Sequence, residues 1–61
     1  MSDLQARLDK LLADAEDCDL IANLATDLTK RETFKNLADQ YRVMAGHIRT
    51  QIEALKLRAA E

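Results

Sequence analysis

Histidine is the side chain in this sequence best suited to acid–base or metal chemistry, and it occurs once, as His47. A metal site on a helix needs further ligands, such as a second imidazole or carboxylates, three or four residues away. The residues at those spacings from His47 are Val43, Met44, Thr50 and Gln51. We therefore interpret His47 as a partly exposed structural histidine.

The single cysteine, Cys18, is the candidate nucleophile. A reactive thiolate needs a nearby cation and access to solvent, whereas Asp17 and Asp19 flank Cys18 in the sequence. Its position in an apolar row predicts a small, buried side chain instead. Since no other nucleophile, base or metal set converges, we expect no catalytic residue, no metal, no cofactor and no enzymatic activity.

Four basic residues recur at every seventh position and define a basic stripe: Lys35, Arg42, Arg49 and Lys56. Such a stripe can follow the phosphates of RNA or DNA. It can equally pair with acids beside a helical core, where charged residues are common. The net charge of −2, the pI of about 5.3 and the scarcity of aromatic residues favour the second interpretation. Nucleic-acid binding therefore stays the alternative hypothesis.

The acids are concentrated in the first half of the chain, where six stand against two bases in residues 1–26. Residues 27–61 reverse the balance, with seven bases against five acids. Asp14, Glu16, Asp17 and Asp19 point in different directions around a helix, so they do not converge as calcium ligands do. We interpret them as a solvated face that pairs with the basic half of another subunit, with an acidic binding surface as the alternative.

The composition is that of long helices, with one glycine, no proline and many alanine, leucine and charged residues among 61. A chain this short has a marginal core, and one cysteine cannot form an internal disulfide. Self-association is the remaining source of stability, so we expect a homodimer. No apolar run is long enough to span a membrane, and the absence of a secretion signal, with a free cysteine, predicts the cytoplasm.

Apolar or small residues form a heptad seam in each half of the sequence, at steps of three and four. The first row is Leu4, Leu8, Leu11, Ala15, Cys18, Ala22 and Ala25; the second is Phe34, Ala38, Tyr41, Ala45, Ile48, Ile52, Leu55 and Ala59. Folding the chain antiparallel about residue 28 sets the first six of each row opposite each other, so that large residues meet small ones in several layers. We predict an all-α antiparallel two-helix hairpin that dimerises into a four-helix bundle.

The predicted turn lies at about residues 26–29, between a helix over about 3–26 and a second over about 29–59. Asp27 is placed to cap a helix that begins at Leu28, and Thr29 with Glu32 offers a second capping box. Ser2 with Gln5 predicts the start of the first helix. The competing interpretation is one unbroken helix in an extended coiled coil.

One flank of the predicted hairpin is too apolar to face water, and we expect it to form the oligomer interface. Its residues are Ile21, Leu24, Leu28, Phe34, Leu37, Met44 and Leu55. The basic stripe lies on the other flank, where Asp19 is expected to reach Lys35, while Arg42 and Arg49 are expected to lack partners within the hairpin. The latter two are the candidate contacts for a protein partner.

Residues 18–45 resemble a group of short alphaproteobacterial helical-hairpin proteins of unknown function. The matching positions include Asp27, Arg31, Leu37, Ala38 and Tyr41, but Leu28 stands where the group has proline. The resemblance covers under half of the chain and implies a hairpin and a bacterial origin, with no activity. In length and architecture, though not in sequence, the chain is also similar to the Rop type of RNA-binding four-helix dimer.

Overall fold

The computed structural model describes residues 3–60, which form two helices joined by a short turn. Helix α1 spans Asp3–Leu24 and helix α2 spans Leu28–Ala60. The two pack against each other as a hairpin, so the predicted all-α, two-helix architecture is confirmed. No strand occurs between residues 3 and 60. The radius of gyration of 14.7 Å exceeds the roughly 10.5 Å of a compact domain of this length, because a single pair of helices forms a rod.

The core between the helices follows the predicted seam and consists mainly of small side chains. The buried apolar residues are Leu8, Ala15, Cys18, Ala22, Ala38 and Ala45. The other six members of the predicted layers are half-buried: Leu4, Leu11, Phe34, Tyr41, Ile48 and Ile52. Alanine at the closest positions lets the two backbones approach, while the longer side chains close the sides of the same layers.

The turn reverses the chain without glycine or proline and without any positive φ angle among the described residues. Asp27 caps α2, since its Oδ2 accepts a hydrogen bond from the Lys30 amide at 3.3 Å and its carbonyl accepts one from the Arg31 amide at 3.0 Å. At the end of α1, the Ala25 amide donates to the Ala22 carbonyl at 3.3 Å. The Arg31 guanidinium donates to the Ala25 carbonyl at 3.0 Å, so both sides of the turn are tied to α2.

The helix ends differ slightly from the predicted ones. Helix α1 ends at Leu24, two residues before the predicted boundary, because the backbone leaves the helix as soon as Asp27 begins to cap α2. Leu28 is the first residue of α2, as the cap predicted at Asp27 indicates. The capping box predicted at Ser2 lies outside the described residues. Within them, Gln5 donates to Asp9 at 3.1 Å along the first turns of α1.

Neither helix contains a segment of the length and hydropathy that crossing a membrane requires, in the part of the chain that the structure describes.

Candidate interaction surface

The small core leaves most of the large apolar side chains in contact with water. Leu8 is the one large aliphatic residue that the described hairpin buries, at 7% exposure. The exposed large apolar residues are Leu20, Ile21, Leu24, Leu28, Val43, Met44, Leu55 and Leu57. They contain five of the seven residues predicted for the oligomer interface; the other two, Phe34 and Leu37, are half-buried. All seven therefore offer apolar surface outside the hairpin core.

The middle of this surface is the Met44 flank, which we define as Ile21, Leu37 and Met44. Helical periodicity places these residues beside the seam and on the same side of the hairpin. Ile21 is 38% exposed and Met44 is 43% exposed, while Leu37 lies partly against the core. Methionine is flexible and polarizable, so it packs well against surfaces of irregular shape. The flank is thus a continuation of the core toward solvent.

The turn end of the hairpin carries three further exposed leucines, Leu20, Leu24 and Leu28. Leu24 is 74% exposed, because α1 ends at this residue and α2 begins on the far side of the turn. Singly exposed leucines are common on proteins, but here three lie within nine residues next to Ile21. Such a concentration is typical of a contact surface.

At the opposite end, a shallow apolar groove lies between the start of α1 and the last turns of α2. This tail groove is lined by Gln5, Ile52, Leu55, Lys56 and Ala59. It exists because α2 has 33 residues and α1 has 22, so the last two turns of α2 have no residue of α1 opposite them within the described chain. Leu55 is consequently half exposed.

The accessible surface area of the chain is larger than that of a compact protein of the same mass. The chain exposes 4867 Å², whereas a compact monomer of 6.9 kDa exposes about 4,000 Å², a difference of roughly 900 Å². A protein–protein interface of standard size covers about 800 Å² on each partner. One interface of ordinary size would therefore bring the chain to the surface area of a compact protein.

On the opposite flank, Arg42 is bound within the hairpin, and the prediction that it lacks a partner there is wrong. Its guanidinium donates a hydrogen bond to Asp19 of α1 and lies 3.9 Å from Asp39 of α2. The hydrogen bond to Asp19 raises the pKa of Arg42 above its usual value, with a smaller opposing effect of desolvation. Asp19 was expected to reach Lys35, but its partner is Arg42.

The physical reason is the direction in which helical side chains lean. They point toward the N-terminus of their own helix, which for α2 is the turn. The long Arg42 side chain therefore reaches toward the turn, where it meets Asp19. The predicted register compared only the levels of residues along the helix axis and did not take this tilt of the side chains into account.

The other three residues of the basic stripe are exposed and have no acidic partner among the described residues. Lys35, Arg49 and Lys56 form no ion pair with any residue between 3 and 60. The stripe is therefore three available cations interrupted by the Arg42–Asp19 pair.

The acidic side of α1 is partly neutralised by its own helix. Lys10 donates to Asp14 at 2.9 Å, one turn away, and this hydrogen bond raises the pKa of Lys10 above 10.5. Glu16 and Asp17 form no ion pair within the described part of the chain. Asp17 is exposed, so it can accept a cation from outside the hairpin.

Cys18 and His47, the two residues with the most versatile side-chain chemistry, lie apart from each other. Cys18 is a buried free thiol in the core, and His47 is exposed on α2. Within residues 3–60, no group of three or more His, Cys, Asp or Glu side chains is arranged to hold a metal ion.

Sequence reasoning did not include Leu20 and Val43 among the interface residues, although both are exposed. They lie off the seam and are not among the three residues that define the Met44 flank, so heptad spacing gives no signal for them. Val43 lines a shallow depression with Asp39, Gln40 and Met44 on the outer side of α2. A count of apolar residues outside the seam would have found them.

Comparison with protein-family models, with curated proteins and with solved structures finds no match to this chain.

Proposed function

We propose that this chain is a non-enzymatic helical interaction module, which pairs with a second copy into a four-helix bundle and, as a dimer, binds another protein as an adaptor or regulator. The observation that carries the proposal is the mismatch between its core and its surface. Among the residues that the structure describes, the hairpin buries one leucine, while eight large apolar residues are exposed.

The Met44 flank supports self-association because it adjoins the core along the hairpin. Full burial of a leucine, isoleucine or methionine side chain contributes about 1.5–3 kcal/mol, and each such residue appears twice in a symmetric dimer. The roughly 900 Å² of surface that the hairpin exposes beyond a compact monomer matches the area that one partner covers. Both features favour a second copy of the same rod.

The test compares two neighbouring substitutions on α2, Met44→Glu and Val43→Glu. Met44 lies beside the seam, whereas Val43, which is 59% exposed, lies on the outer side of the same helix. Sedimentation equilibrium measures the mass, and far-ultraviolet circular dichroism measures helicity across a dilution series. We expect the natural chain and the Val43→Glu variant to be dimers, and the Met44→Glu variant to be a monomer with reduced helicity.

The same measurements define the contrary result. A natural chain that sediments as a fully helical monomer at every concentration would refute self-association. Equal loss of the dimer in both variants would refute the assignment of the Met44 flank. Leu37→Asp is a harsher version of the test, because Leu37 also touches the core. A Leu37→Asp variant that remained helical and kept the mass of the natural chain would be strong evidence against this interface.

A second candidate function is nucleic-acid binding of the Rop kind, and the observation that favours it is the availability of Lys35, Arg49 and Lys56. Arg42 is less available because it is paired with Asp19, and the net charge is −2. Fluorescence anisotropy with labelled double-stranded and single-stranded RNA at low ionic strength tests this function. A binder would lose affinity steeply with salt and on Arg49→Glu, and no anisotropy change at low salt would refute it.

We also propose a bacterial and cytoplasmic setting. The resemblance of residues 18–45 to alphaproteobacterial helical-hairpin proteins supports the first, and the unpaired thiol of Cys18 supports a reducing compartment.

A further inference from the structure

We infer that the two copies pair antiparallel, so that the turn end of one hairpin lies beside the tail end of the other. This inference rests on the proposed self-association and adds the arrangement of the subunits. It is carried by the distribution of charge along the length of the rod.

The charges divide along the long axis of the hairpin. The middle of α2 is Met44, and the hairpin register places it level with Leu12 of α1. The turn half, residues 12–44, contains seven acids and four bases, a net charge of −3. The tail half, residues 3–11 and 45–60, contains three acids and five bases, a net charge of +2. Each hairpin is therefore an elongated charge dipole, negative at the turn.

This dipole distinguishes the two ways in which a pair of rods can lie side by side. A parallel pair places the two turn halves together and brings Asp14, Glu16, Asp17 and Asp19 of both copies to the same level. An antiparallel pair places each negative half beside a positive half. The Debye length is about 8 Å at physiological ionic strength, so charges across an interface are still felt whereas those at the far end of a 52 Å rod are not.

The antiparallel arrangement fixes which residues of the two copies lie at the same level. When a two-fold axis passes the level of Met44, residue n of α1 lies level with residue n + 32 of α2 in the second copy. Leu24 of one copy then lies level with Lys56 of the other, one residue from Leu55.

Cross-linking of single cysteines measures the arrangement directly. In a Cys18→Ala background, Leu24→Cys and Leu55→Cys are made in separate chains, one with an affinity tag, and the mixture is treated with a short bismaleimide linker. In the antiparallel dimer the two copies of residue 24 are about 36 Å apart along the axis, at 1.5 Å per residue. We expect the mixed Leu24→Cys/Leu55→Cys product and no product from Leu24→Cys alone.

Met44→Cys is the matched control, because residue 44 lies near the axis and meets its own copy in either arrangement. Cross-linking of Met44→Cys together with self-linking of Leu24→Cys would overturn the antiparallel arrangement and leave the dimer intact. A monomeric mass for the natural chain, with no cross-link at any of the three positions, would instead overturn the proposed function on which this inference rests.

The dependence on salt provides a second, independent readout on the full chain. The affinity of the natural chain for its second copy should fall as sodium chloride is added, because salt screens the attraction between oppositely charged halves. An affinity that rises with salt would contradict the arrangement, because like charges would then be adjacent.

Discussion

Arg42 of α2 donates a hydrogen bond to Asp19 of α1, and this is the one ion pair that joins the two helices among the described residues. The residues are 23 positions apart in the sequence, so the pair forms only when the chain has reversed. Asp39, one turn before Arg42 on α2, lies 3.9 Å from the same guanidinium. The pair therefore reports the hairpin register from a position outside the apolar core.

Arg42→Gln should lower the stability of the hairpin slightly, because the partners are 46% and 40% exposed and exposed ion pairs contribute little. A double-mutant cycle with Asp19→Asn, followed by urea denaturation, measures the coupling, which should shrink as salt increases. Lys35→Gln is the control on the same stripe and should show no coupling to Asp19→Asn. Coupling to Lys35 in place of Arg42 would contradict the observed contact.

The architecture could be predicted from the sequence because it depends on spacing. The steps of three and four in both halves fix which residues face each other, and the twelve residues of the predicted layers are all buried or half-buried. The Arg42–Asp19 pair escaped prediction because register ignores the lean of side chains toward the turn. The end of α1 was placed two residues late because no glycine marks it, and the cap on the next helix decides it.

The candidate interaction surface could be predicted only in part, for a related reason. Ile21, Leu37 and Met44 adjoin the seam and follow from periodicity, whereas Leu20 and Val43 are exposed at positions that no helical repeat selects. The tail groove follows from the difference in length between the two helices, and the predicted bounds of about 3–26 and 29–59 already contained that difference.

Asp27→Ala should destabilise the hairpin by about 0.5–2 kcal/mol, since it removes the side-chain acceptor that caps α2. Asp27→Asn is the matched control, because asparagine is a comparable cap and should restore most of the stability. Thermal and urea denaturation followed by circular dichroism measure both variants. Equal destabilisation by alanine and asparagine would mean that the carboxylate acts through its charge and not through the hydrogen bond to the Lys30 amide.

Ala22→Leu should destabilise the hairpin by about 1–3 kcal/mol, because Ala22 has no exposed surface and a larger side chain forces two closely packed backbones apart. Ala13→Leu, on the exposed side of the same helix, introduces the same atoms without that clash and serves as the control. Urea denaturation with both variants measures the difference. If Ala22→Leu were as stable as Ala13→Leu, the helices would not be as close at this layer as the structure has them.

Gly46→Ala tests which side of α2 faces solvent. A Cβ atom added at Gly46 meets nothing within 4 Å, and the residue has no positive φ angle. Alanine in place of glycine inside a helix contributes about 0.5–1 kcal/mol, so we expect the variant to be more stable by that amount in urea denaturation.

The position of Gly46 makes the outcome specific. Two residues along a helix correspond to about 200° of rotation, so Gly46 points away from the side that Met44 presents. Gly46→Leu extends the test, because a leucine at a solvent-facing position should keep the gain over glycine and leave the oligomeric mass unchanged. If a second copy instead packed against Gly46, alanine would crowd that contact and leucine would abolish it, so both variants would lose stability and the interface would have to be moved from the Met44 flank to the opposite side of the helix.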